Sequence, residues 1–271
     1  MIDMKKVFLL HNKIIWHGKI SSDLSTCFYP SFYKDILKRE RVFSENFQAS
    51  FEDATIENLK KKFIPIYQTE IMSRESFTLD KNSIINSVIE RVEKNPSRYK
   101  FLFISDNDGK LFGATMFSIS DNKLQMAFRA YKREMEIDTL KHKASLDYWG
   151  EKLIREYGVK MGLNIFSYGR DTHPYAGKHR VGLALYKLKA GTKPRVPDLK
   201  DPQKPVEILS FDDSFLFSQK KPLVFFNNPD NNALYQNCFL YYPKNSLHES
   251  FINEFKIVSE WASLIFKAVE Y

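Results

Sequence analysis

The residues best suited to chemistry lie between positions 166 and 200. Arg170 directly follows a glycine at a predicted strand end. Strand ends are common site positions, and a guanidinium there can clamp a phosphate or carboxylate through two parallel N–H donors. The same arginine could instead serve a structural salt bridge, with Asp171 as the nearest acid in sequence. Asp171 and Thr172 could orient an amine. Lys178, His179 and Arg180 could floor an anion site or simply form a basic loop. From Lys178 to Lys200 the chain carries seven bases (Lys178, Arg180, Lys187, Lys189, Lys193, Arg195, Lys200) against one acid, Asp198. That excess is most of the +8 charge of the whole chain. It suits an anionic ligand such as a phosphate, a nucleotide or an RNA end; a solvated basic face is the alternative.

Other chemistries find less support. His11 and His17, and His173 and His179, are spaced unlike any metal-binding motif, and no cysteine is near them. No metal is expected. The two cysteines, Cys27 and Cys238, form no CxxC pair and no disulfide framework. Gly177-Lys178 lacks the upstream glycine and following Ser/Thr of a phosphate-binding loop.

The elements that must position these residues follow from patterning. With 271 residues, 43% hydrophobic and 27% charged, the chain has ordinary globular composition. No apolar run approaches the roughly 18 residues of a membrane span, and the first, Val7–Leu10, is too short for a signal peptide. A cytoplasmic protein is expected. Val7–Trp16 reads as a hairpin about His11-Asn12-Lys13, and residues 20–46 show no clear period. Phe47–Phe51 reads as a strand. Thr55 caps a helix bearing Ile56, Leu59, Phe63, Tyr67 and Ile71, with a kink or break at Pro65. Asp80 caps a second helix, stopped by Asn95-Pro96. Three strands, 101–105, 111–118 and 124–131, are joined by turn sequences into an antiparallel meander. A helix from Leu146 to Met161 ends at Gly162. A strand from Leu163 to Tyr168 ends at Gly169, and a short helix from Gly182 to Ala190 ends at Gly191. Pro194–Pro205 reads as a loop, followed by strands at 206–211, 223–226 and 239–242. Ser246-Leu-His-Glu249 reads as a capping box, opening a helix whose apolar face runs from Leu247 to Ile265.

Residues 47–226 thus carry the element order of the GCN5-related N-acetyltransferase (GNAT) fold. Two strings sharpen the likeness. Phe166-Ser-Tyr-Gly-Arg-Asp-Thr172 resembles the aromatic-x-aromatic-Gly-Arg-Ser/Asp-Thr string of Fem-type acyltransferases. Gly182-Leu-Ala-Leu-Tyr-Lys-Leu-Lys-Ala-Gly191 resembles their Gly-Leu-x-x-Phe-Lys-x-x-Phe-Gly string. Tyr67–Arg74, followed by Phe77, is similar to a segment opening the family's C-terminal lobe. The resemblance covers about 150 residues, roughly 55 to 205. It implies an α+β fold: a mixed, mainly antiparallel GNAT-like central sheet flanked by helices, with an extra C-terminal helix. The chain divides accordingly into an N-terminal extension (1–46), a GNAT-like core (47–215), and C-terminal strands with a capping helix packed on the core (216–271).

The resemblance also implies a reaction: transfer of an aminoacyl group from aminoacyl-tRNA, or of an acyl group from acyl-coenzyme A, to an amine on a small molecule or peptide. Neither donor would be a tightly bound cofactor, and either would rest on the basic 178–200 stretch. Segment 137–145 contains no glycine, unlike the pyrophosphate loop of acetyl-coenzyme A users; Fem-type enzymes lack that loop too. Tyr186 falls where the GNAT fold often carries a tyrosine general acid, although helical aromatics commonly pack in cores. Lys187 aligns with the family's lysine and would neutralise phosphate or developing charge; a surface lysine is the alternative. With Arg170 these are the implied catalytic residues. Tyr168, Asp171, Thr172, Lys178 and Arg180 are the implied substrate-binding ones. A non-catalytic RNA-binding or scaffold protein on the same fold is the competing class, since basic residues interleaved with Tyr186 also suit RNA.

Overall fold

A computed structural model describes residues 7–74, 79–132, 146–176, 178–197, 208–212, 220–227 and 235–271. The chain forms two compact units, one of residues 20–26 and 30–166, the other of residues 1–19, 27–29 and 167–271. In chain order the strands are β1 (Val7–His11), β2 (Lys13–Lys19), β3 (Phe47–Asp53), β4 (Tyr99–Asp106), β5 (Leu111–Ser120), β6 (Lys123–Tyr131), β7 (Ile165–Thr172), β8 (Tyr175–Ala176), β9 (Thr192–Arg195), β10 (Ile208–Asp212), β11 (Leu223–Asn227), β12 (Asn237–Tyr242) and β13 (Ile265–Glu270). The helices are α1 (Pro30–Asn46), α2 (56–72), α3 (Lys81–Lys94), α4 (Asp147–Lys160), α5 (Lys178–Lys189) and α6 (Glu249–Trp261). The fold is α+β, and from β3 to β9 its elements follow the order read from the sequence, with the two-residue β8 added before α5.

In the first unit, β3, β4, β5 and β6 pair antiparallel in sequence order. Helix α2 begins as expected: the Thr55 hydroxyl accepts the Asn58 N–H at 3.0 Å. The helix is not cleanly broken at Pro65. Instead, wide π turns at Leu59–Phe63 and Gln68–Met72 flank a short α turn, Ile64–Tyr67. They absorb the missing proline N–H without ending the element. Asp80 caps α3 by accepting the Ser83 N–H at 2.7 Å. Leu59, Phe63, Tyr67, Val88 and Val92 from these two helices cover Phe101, Phe103, Ala114 and Met116 of the sheet. Gly162 ends α4 with φ +68°, as the sequence predicts.

Helix α1 corrects the aperiodic reading of residues 20–46. Its buried positions are Phe32, Ile36 and Phe43. Arg39 and Glu40, which sit between those positions, are charged. Arg39 lies 3.9 Å from the Tyr148 ring, and Glu40 accepts from Lys152 at 2.7 Å. Charges that find partners on α4 interrupt the apolar stripe, so periodicity alone does not register it.

The second unit contains three strand groups. β2 lies between β7 and β9, β1 pairs with β10, and β13-β12-β11-β8 form a four-stranded sheet. Val7–Trp16 is therefore two strands with different partners, not a hairpin. The 194–205 loop is also corrected at its start. Residues 192–195 form β9, with Pro194 opposite Trp16, an edge position where a proline's missing N–H costs no ladder bond. Strand β7 does not stop at Gly169 but passes through it at φ +73° and continues to Thr172. Helix α5 starts four residues earlier than the glycine that was expected to open it. At the C-terminus the cap is His248, whose Nδ1 accepts the Ser250 N–H at 3.2 Å. Ser246 sits in the preceding turn instead, its N–H on the Pro243 carbonyl at 3.0 Å. Helix α6 ends at Trp261. Ile265 belongs not to its apolar face but to β13, a largely exposed strand parallel to β12. Val181, Ala184, Leu185 and Leu188 of α5 pack with Val224, Phe226, Leu240, Phe255 and Val258 into one buried cluster. Among the described residues, no helix is long and apolar enough to cross a membrane.

Candidate active site

Strand β7 and helix α5 bring the two family-like strings together. Lys187 is 4% exposed and forms an ion pair with Asp171 Oδ2. The same oxygen accepts the Tyr175 hydroxyl. Tyr175 Oη in turn accepts the Trp16 indole N–H at 2.6 Å. A chain of donors thus runs Trp16 to Tyr175 to Asp171, so the buried indole N–H and phenol hydroxyl are both satisfied. Burial, together with the neighbouring Asp171 charge, raises the Tyr175 phenol well above its usual range. Tyr175 therefore stays protonated and remains a donor.

Aromatic rings wall the pair. The Lys187 ammonium lies 5.1 Å from the Tyr168 ring centre and 5.7 Å from that of Trp16. Tyr168 stands 6.5 Å from Tyr186, centre to centre, at a tilted angle. Such rings attract a cation through their electron-rich faces, here the Lys187 ammonium paired with Asp171. Asp171 itself is half-buried, with a side chain 21% exposed. The bonds from Tyr175 and Lys187 both fall on Oδ2, and among the described residues Oδ1 has no hydrogen-bond partner. The arrangement therefore offers one oriented carboxylate oxygen beside two tyrosines, with the counter-charge fixed behind it.

The remaining predicted residues fall as follows. Arg170 is on β7, half-buried; the acid considered as its partner is taken by Lys187. Thr172 is at the strand end, where its Oγ1 accepts from Lys13 at 3.4 Å. Lys178 and Arg180 belong to the first turn of α5. Sequence reasoning missed Trp16 and Tyr175 as the support behind Asp171. A signal existed for Trp16: Ile14 and Trp16 alternate inward along β2. Tyr175 is four residues beyond Asp171, and no pattern marks it.

The basic stretch is less cationic in the fold than in the sequence. Asp171 offsets Lys187, and Glu254 of α6 pairs with Lys189. Lys193 donates to Ser263 at 3.3 Å, and Arg195 meets His17 at 3.3 Å. Lys200 lies outside the described residues. Among the described residues, no group of three or more His, Cys, Asp or Glu is arranged to hold a metal ion.

No family model matches the chain, and no curated protein matches it. Among solved structures it is similar to FemX, with 11% identity over 67% of this chain and 59% of that one, at a TM-score of 0.49. It is similar to L-PGS from Bacillus licheniformis, with 7% identity over 60% of this chain and 48% of that one, at 0.40. It is also similar to the PaiA N-acetyltransferase of Thermoplasma acidophilum in complex with coenzyme A, with 16% identity over 61% of this chain and 99% of that one, at 0.32. The chain thus spans about half to three-fifths of the length of the first two.

Proposed function

We propose that the protein is an N-acyltransferase of the GNAT/Fem type, moving an aminoacyl or acyl group from an anionic donor to an amine. One observation carries the reading: the two strings that resemble Fem-type enzymes, on different elements, meet through the Asp171–Lys187 pair with Tyr168 and Tyr186 beside it.

The chemistry needs a neutral attacking amine, donors for the tetrahedral oxyanion, and a proton for the leaving group. Asp171 Oδ1 holds the acceptor amine and takes its proton as the N–C bond forms. Lys187 orients that carboxylate through their ion pair. Arg170 offsets charge on the oxyanion. The Tyr186 hydroxyl protonates the departing oxygen of an aminoacyl ester, or the sulfur of a thioester, as the C–O or C–S bond breaks. Thr172, Lys178 and Arg180 hold the donor's polar and phosphate groups. No covalent enzyme intermediate is required. Aminoacyl-tRNA is favoured as donor because segment 137–145 has no glycine with which to cradle a pyrophosphate.

The test supplies charged tRNA and acyl-coenzyme A in separate reactions over a panel of amines. Turnover of the charged tRNA is expected. Turnover of acyl-coenzyme A alone would reassign the donor. Arg170→Ala, Asp171→Asn and Tyr186→Phe are each expected to cut turnover at least tenfold while keeping native circular dichroism. Wild-type rates in all three would discard the site. RNA binding without turnover of either donor would move the protein to the non-catalytic class.

A further inference from the structure

The first unit holds a cleft of about 640 Å³, within the range of small-molecule sites. It shares no residue with the candidate active site. One wall is helix α2, contributing Lys62, Pro65 and Ile66; the other is the sheet, contributing Phe103 and Phe112, with Lys110 from the β4–β5 turn and Lys132 after β6. Pro65 sits between the two π turns of α2, an irregularity that recurs at functional positions.

The charges in this cleft are unevenly spent. Four lysines and two glutamates line it. Lys61 is paired with Glu57 and Lys62 with Glu52, each at 2.8 Å. Lys110 and Lys132 have no carboxylate partner among the described residues. Both stand against one ring, 5.5 and 5.0 Å from the centre of Phe112. Pairing sets this geometry: the Lys132 N–H donates to the Phe112 carbonyl at 2.9 Å, and Gly109 at φ +81° turns the chain just before Lys110. Phe112 is held in turn by an edge contact to Phe47 at 5.2 Å. Two like charges gathered on one ring repel each other. A phosphate monoester, carrying nearly two negative charges at neutral pH, relieves that repulsion, and lysine stems are flexible enough to close on it. Phe103, Pro65 and Ile66 supply an apolar wall for an organic body.

We propose that this cleft binds a small organic phosphate with an aromatic or apolar body, its phosphate between Lys110 and Lys132 and its body against Phe103 and Ile66. The test is calorimetric titration of the full chain with AMP at low ionic strength, with inorganic phosphate and adenosine as separate probes. AMP is expected to bind at least tenfold tighter than either. Lys110→Glu/Lys132→Glu is expected to weaken AMP at least tenfold and to leave acyl-group turnover unchanged. Lys110 is exposed and Lys132 half-buried, and neither lies in the buried core, so the variant is expected to fold. Amide shifts on AMP addition should cluster at 110–112 and 132. Binding of AMP no tighter than that of inorganic phosphate, affinity indifferent to the double substitution, or shifts confined elsewhere would each overturn the proposal. The readout is binding, so failure of the acyltransferase reading does not affect it.

Discussion

His173 has both ring nitrogens committed. Nε2 accepts the Phe226 N–H at 2.8 Å, which leaves the proton on Nδ1 to donate to the His11 carbonyl at 2.8 Å. Neither nitrogen can serve a metal, whatever the spacing to His179. Burial lowers its pKa from 6.5 to about 4. A second proton must break the bond to Phe226, so the folded state resists protonation that the unfolded chain accepts. The contribution is fully present above pH 6.5 and is lost as pH falls toward 4, amounting to about 3 kcal/mol. Urea midpoints measured from pH 7 to 5 should fall more steeply for the wild type than for His173→Gln; equal slopes would refute the assignment. Lys187 carries the other residue-level expectation. Its removal leaves Asp171 partly buried without its counter-charge, so Lys187→Ala should destabilise by about 3 kcal/mol. A chemical denaturation curve checks this, and turnover of that variant must be read where it is still folded.

Elements here are governed by their ends. Helix α5 stops at Gly191, φ +75°, where an added Cβ would lie 1.7 Å from the Cys27 carbonyl oxygen. The close approach goes with the Tyr29 N–H donating to the Lys189 carbonyl at 2.8 Å. Gly191→Ala should cost more than about 3 kcal/mol, through the left-handed backbone and the clash together. Thermal melts of this variant and of Gly182→Ala, where an added Cβ meets nothing within 4 Å, provide the contrast; equal melts would show that the approach is not rigid. Caps with a local cause, at Thr55, Asp80, Gly162 and Gly191, were legible in the sequence. The cap of α6 was not, because Ser246 is the favoured residue type for a cap, whereas the extended backbone that precedes the helix, φ −74° and ψ 141°, falls at His248. Strand β13 was illegible for another reason: it is mostly exposed and carries no alternating pattern.

At the scale of the molecule, charge is redistributed by folding. The +8 of the chain is a fact of composition, but Glu254 and Asp171, both outside the basic stretch, neutralise two of its lysines. If tRNA is bound there, Lys193→Gln should reduce the slope of log affinity against log salt by about 1, and Lys189→Gln should leave it nearly unchanged. Filter binding across a salt series measures both; equal losses would mean that Lys189 faces the phosphates. Turn residues and caps act over a few neighbouring positions, so the sequence by itself determined most strand and helix positions. Partnership across the chain was decided only by the tertiary structure. Asp171 and Lys187 are sixteen residues apart, and Trp16 is 159 from Tyr175. No local pattern encodes such meetings, because the energy that selects them comes from burying Val181, Leu188, Phe226 and their neighbours together.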